Sequence, residues 1–473
     1  MLVRTILALA LVGSAFAGGA ARAEETGCDY DVRVTDRQGI KVAADVTCVG
    51  EVGGFVAHPG VVPYVTRFED AGGRALTRDE SSWLMPDSPK RSSVHYEVDL
   101  GAFAASGARG VAAAGRSFMP LAQTWLFRPA PVDLPLRIRI INESDQGVAT
   151  GFASADGVIR LTARQLAFAG YTAFGTFDRR RIEMAGTDGA PAAIDLVQLD
   201  GRTALGPDRI ATWVGRAGEA MARYFNGYPA ERSLVVILPM PGRDSVPFGR
   251  VIPGGGITMM VQVGEQADRT ALLNDWVLVH EMVHTAMPFL SDNGSWLMEG
   301  LATYVEPIVR ARAGWIAPEA VWAEFARGMP RGIEAMTRLG MRRAGFGAIY
   351  WGGALFALIT DIEMRQRTDG QRGIEDCLRA VRRDGGTGDR RWTTAEFIAA
   401  CDRAIGGNTM AENAETYYLN GGPVDLDRLW ADLGVVQQGE RFVTRADAPL
   451  ARIREAIIWG RPGIPKPAPI PFD

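Results

Sequence analysis

Two of the chain's four histidines, His280 and His284, stand four residues apart in Val279-His280-Glu281-Met282-Val283-His284, an H-E-x-x-H pattern. On a helix, positions i and i+4 share a face, so both imidazoles can reach one ion. Glu281 sits beside the first histidine, where its carboxylate can act as general base on a water held by that ion. The chemistry implied is metal-assisted hydrolysis. The bland alternative is a helix with two incidental histidines, but in a chain this poor in histidine the pattern arises by chance on the order of once in several hundred. The other two, His58 and His95, lie in a strand-rich stretch and read as structural or surface groups.

A catalytic zinc site takes three protein ligands and keeps its fourth position open. Glu299 comes 15 residues after His284, on a second apolar run that a polar turn, Ser291-Asp292-Asn293-Gly294, can fold back on the first. It completes a His₂Glu set for one Zn²⁺, and Gly300 beside it points to close packing there. Further along, Tyr350 opens a long apolar helix with Gly352 and Gly353 suited to tight packing. A phenol near the metal can stabilise the oxyanion of acyl transfer; the plainer role for such a tyrosine is amphipathic core.

These groups need elements to hold them. The run from Asp268 to Met287 predicts one helix, with Asp268 as N-cap, a buried stripe of Leu272, Trp276, Val279, Val283 and Met287, and Pro288 as its end. Upstream, Ile210, Trp213, Val214, Ala217 and Met221 form the stripe of a helix over about 207–225, and Leu234 to Leu238 reads as a buried strand. Pro253-Gly254-Gly255-Gly256 then leads into Ile257 to Val263. Gly255 and Gly256 are the candidate substrate-binding residues, because glycines let another backbone come close and a peptide can add along an exposed edge strand. A glycine-rich loop entering an ordinary strand accounts for the same residues.

The Glu299 run, Trp296-Leu297-Met298-Glu299-Gly300-Leu301-Ala302-Thr303-Tyr304, resembles the W-L-N-E-G-x-A-x-Y segment of the gluzincin metallopeptidases, the group that holds aminopeptidase N and glycyl aminopeptidase. The stretch Tyr350-Trp351-Gly352-Gly353-Ala354-Leu355 is similar to their Y-x-K-G-A-L helix, and its continuation to Arg365 and Thr368-Asp369-Gly370 is similar to the glycyl aminopeptidase branch. The resemblance implies a thermolysin-like zinc core, His280, His284 and Glu299 as zinc ligands, Glu281 as base and Tyr350 as oxyanion donor. It spans most of residues 24 to about 405 and is sharp at the three motifs. Two departures stand out. Gly352 replaces a lysine, and Gly255-Gly256-Ile257-Thr258-Met259-Met260 carries no counterpart of the glutamate that grips a free amino group in G-x-M-E-N or G-G-L-E-H-like segments.

The rest of the chain frames this core. Arg4, the apolar run Thr5 to Phe16 and Ala21-Arg22-Ala23 predict a signal peptide over 1–23, cleaved after Ala23, and hence a periplasmic or secreted protein with no membrane span. The net charge is −4, and loss of Arg4 and Arg22 makes it −6, which argues against nucleic acid as a partner. Cys28 with Cys48 and Cys377 with Cys401 pair as disulfides in an oxidising compartment; a cysteine zinc site is the rival, without C-x-x-C spacing to support it. The expected fold is α+β: a β-rich N-terminal domain over 24–165, the catalytic core over 166–310, a helical domain over 311–450 and a proline-rich tail over 451–473. The expected function is zinc-dependent hydrolysis of peptide or protein substrates. The alternative is a non-catalytic zinc- or peptide-binding protein on a peptidase scaffold.

Overall fold

The computed structural model describes residues 25–37, 39–86 and 90–472. The expected signal peptide and its cleavage site lie outside these residues. Strands dominate up to about residue 200, and helices dominate beyond. A seven-stranded sheet runs in the order Ser154–Ala155, Val158–Thr162, Pro135–Asn142, Gly27–Thr35, Lys41–Val49, Arg91–Asp99 and Val65–Asp70. Its period-two alternation is visible in Lys41–Val49, where Val42, Ala44, Val46 and Cys48 face inward and the residues between them do not. Tyr96, stacked on Phe68 and Phe127, anchors the aromatic core beneath it. Two four-stranded sheets complete this strand-rich part.

The candidate site hangs from a five-stranded sheet ordered Phe177–Ala185, Pro191–Leu199, Arg232–Met240, Ile257–Gly264 and Phe248–Pro253. Arg232–Met240 is buried from Ser233 to Pro239 and lies between parallel neighbours, which its continuous apolar run anticipates. The helix Gly206–Phe225 covers one face with the stripe foreseen for it. Three helices then carry the chemistry: the short motif helix Val277–His284, the Glu299 helix Ser295–Ala313 and the Tyr350 helix Phe346–Arg367.

Two expectations are corrected. The run from Asp268 to Met287 is two helices. Asp268 caps only Arg269–Leu273, accepting from the Ala271 N–H at 2.8 Å. The motif helix restarts at Val277, capped by the buried Asp275, whose two oxygens accept from the N–H groups of Val277 (2.9 Å) and Leu278 (3.0 Å). The restart turns Trp276 outward, half exposed, whereas Leu272, Val279, Val283 and Met287 are buried as expected. Second, Ile257–Gly264 is no edge strand. Gly254 and Gly255 take positive φ and reverse the chain, so that Phe248–Pro253 adds antiparallel on its open side and becomes the edge. After the helix Ala451–Trp459, with Ile457 and Ile458 buried, an extended segment begins at Gly460. That segment is docked: the Ile470 N–H donates to Ala313 O at 2.8 Å and Trp315 Nε1 donates to Ile470 O at 3.1 Å, at the C-terminal end of the Glu299 helix.

Both disulfides form, Cys28–Cys48 across neighbouring strands and Cys377–Cys401 between Ile374–Arg383 and Thr394–Ile405. They fit a secreted or periplasmic protein. Among the described residues no helix is long and apolar enough to cross a membrane.

Candidate metal centre and cleft

The motif helix packs under the edge strand, and the Glu299 helix returns against it. His280 and His284, both buried, point their Nε2 atoms at Glu299 Oε2, at 3.2 and 3.5 Å. One ligand atom from each of the three residues lies within 4.8 Å of the others. Two imidazole nitrogens and one carboxylate oxygen are the donor set of a catalytic zinc site, and here they converge from two helices. The residues fit the ion. The Nδ1 atoms of both histidines are buried on the side away from Glu299, without a hydrogen-bond partner.

The charges agree with this geometry. Burial opposes ionisation of Glu299, but hydrogen bonds from His280 and His284 outweigh it and hold the carboxyl well below its usual range. For His284, burial disfavours the charged ring and Glu299 outweighs it, raising the pKa. Tyr350 stacks near His280 at 6.2 Å between ring centroids. Burial, reinforced by the negative charges of Glu299 and Glu281, pushes its hydroxyl up to about 12, so the phenol keeps its proton at neutral pH.

Glu281 is held by the edge strand, which no local pattern of residues 248–253 announces. The Val251 N–H donates to Glu281 Oε2 at 2.9 Å. That amide therefore faces the motif helix, and along an antiparallel edge Gly249 shares its orientation. A Cβ on Gly249 would lie 2.6 Å from Glu281 Cγ and 2.7 Å from Val277 Cγ1. Only a glycine lets the strand come this close to the base. The close backbone approach anticipated at Gly255 and Gly256 occurs at Gly256, where a Cβ would lie 2.0 Å from Gly151 O, but the approach to the base is made at Gly249. Gly255 and Gly256 pack instead against Phe152 and Gly151 in the strand-rich part, away from the cleft lining.

The Glu299 and Tyr350 helices cross at glycines. A Cβ on Gly300 would sit 2.3 Å from Gly353 Cα, and one on Gly353 would sit 2.2 Å from Trp296 O. The place of the resembled lysine is filled too: a Cβ on Gly352 would meet Met341 Sδ at 2.6 Å. Behind His280 lies a cavity of 280 Å³ lined by Thr303, Glu306 and Glu324. Glu306 is fully buried, and burial, only partly offset by Arg310 at 3.0 Å, raises its pKa well above the usual range. Its sequence offers no more signal than a seven-residue spacing from Glu299. Glu281, His284, Glu299 and Tyr350 meet in a cleft of 420 Å³, walled by Phe248, Arg250 and Val251 of the edge strand and by Met287, Phe289 and Met298.

No protein-family model matches the chain, and no curated protein matches it. Solved structures do. An aminopeptidase N family protein from Idiomarina loihiensis aligns over 87% of this chain and 79% of its own, with a TM-score of 0.63 at 14% identity. The chain has the fold of an aminopeptidase N-like core. Other solved structures with this core include an M1 zinc metallopeptidase variant from Deinococcus radiodurans bound to a Tyr-Ser-Ala substrate, covering 84% of this chain and 96% of that one (TM-score 0.53, 13% identity). Legionella pneumophila aminopeptidase A, in complex with aspartic acid, covers 84% and 49% (TM-score 0.53, 12% identity). At such identities the aminopeptidase N-like likeness is one of fold, and the chemistry has to be argued from the side chains above. The glycyl aminopeptidase likeness rests on the sequence motifs.

Proposed function

We propose that the chain is an exported zinc peptidase in which His280, His284 and Glu299 hold one zinc ion. The observation that carries this reading is the convergence of those three donors at the base of a cleft that also presents Glu281 and Tyr350. Zinc in that position supplies a Lewis acid that polarises a carbonyl and brings the pKa of water toward neutrality. The rest falls to the chain's own residues. Glu281, one oxygen fixed by the Val251 N–H, takes the proton of the attacking water and passes it to the departing amine. Tyr350 stays neutral and donates its O–H to the oxyanion. The substrate backbone lies along Phe248–Pro253, whose outward groups at Gly249 offer strand-type hydrogen bonds. The sheet covers the site from one side and Met287, Phe289 and Met298 exclude water from the other.

The test is cleavage of a peptide library by the purified protein. Cleavage is expected, is lost on treatment with a chelator and returns on addition of zinc. Bound zinc with no chelator-sensitive cleavage of any peptide would favour the non-catalytic binder instead.

A further inference from the structure

Arg250 stands on the edge strand next to Val251, is exposed, and lines the cleft. Among the described residues it has no hydrogen bond or ion pair, whereas the acids of the cleft are both engaged. Glu299 is held by the two histidines and Glu281 by the Val251 N–H. No carboxylate of the lining is left to meet a substrate ammonium, and one guanidinium is left to meet an anion. The lining residue Phe289 carries a second cation: Arg391 lies 4.8 Å over its ring, also without an ion pair. Much of the remaining wall is apolar, which strengthens charge–charge attraction relative to open solvent.

Register fixes how near Arg250 is to the reacting bond. Its strand neighbour Val251 touches the base through its amide, so a peptide lying along Phe248–Pro253 places its scissile bond by Val251. Arg250 then falls within one or two residues of that bond. Building on the peptidase reading above, we propose that Arg250 binds a substrate carboxylate close to the scissile bond, so that the cleft selects anionic peptides and not a free amino terminus. A guanidinium offers a carboxylate two parallel N–H donors, which an ammonium cannot reproduce. The carboxylate has two sources, an Asp or Glu side chain or the C-terminal carboxylate of a short peptide.

The experiment compares kcat/KM of the zinc-loaded protein on matched peptides that differ only by Asp against Asn near the cleaved bond, or by a free against an amidated C-terminus. One of the two carboxylate peptides is expected to be cleaved about tenfold faster than its neutral counterpart at low salt, and which one identifies the source. The preference should shrink as ionic strength rises. Arg250→Gln should bring the pair within about threefold of each other, and Arg250→Lys should restore part of the difference. Equal cleavage of acid and neutral peptides by the wild type, or a preference that survives Arg250→Gln, would overturn the proposal and leave the peptidase reading standing. Failure to cleave any peptide would overturn both.

Discussion

Glu281→Gln is expected to leave bound zinc at the wild-type level and to lower kcat/KM for peptide hydrolysis by roughly 10²–10⁴-fold. Glutamine keeps the shape of the side chain and a carbonyl oxygen that can still accept from the Val251 N–H, so the edge strand stays against the motif helix. What it loses is the ability to take and return a proton. Glu281 is not among the three residues whose ligand atoms converge, which is why metal content and turnover should separate in this variant. Parallel metal analysis and steady-state kinetics on the two proteins make the comparison. Wild-type turnover in Glu281→Gln would remove Glu281 from the mechanism.

Gly300→Ala should destabilise the protein by about 1–3 kcal/mol, against the ordinary preference for alanine within a helix. In an isolated helix the change would gain close to 1 kcal/mol. Here the new methyl would stand 2.3 Å from backbone atoms of Gly353, and neither partner is a flexible side chain that could swing aside. The helices would have to separate, and the Glu299 helix would carry its metal donor away from the Tyr350 helix that brings the phenol to His280. Denaturant unfolding should show the lower stability and kinetics a reduced turnover. A stability equal to or above wild type would mean that the crossing is looser than the glycines imply.

How much of this was legible in the sequence depends on the range of the interaction. His280 and His284 are paired by helical spacing alone, and Glu299 by a short turn between two apolar runs; the structure brings the three together. The stripe of Gly206–Phe225 and the buried run of Arg232–Met240 are likewise local patterns. The break before the motif helix was not legible, because apolar periodicity runs on through Asn274 and Asp275. It depends on a carboxyl buried far enough that its pKa is pushed up to about 6, even though it caps the helix through backbone N–H bonds. Nor was the edge strand. Phe248-Gly249-Arg250-Val251-Ile252-Pro253 lacks alternation, and only its pairing with Ile257–Gly264 gives Gly249 and Val251 their part. Glu306 and the docked Ile470 also owe their environment to packing between distant segments.

Zinc content tests the central claim most directly. Purified wild-type protein should carry one zinc per chain after exhaustive dialysis, and Glu299→Ala should retain far less under the same treatment while remaining folded by circular dichroism. A zinc content in Glu299→Ala equal to that of the wild type would contradict the assignment of His280, His284 and Glu299 as the metal centre.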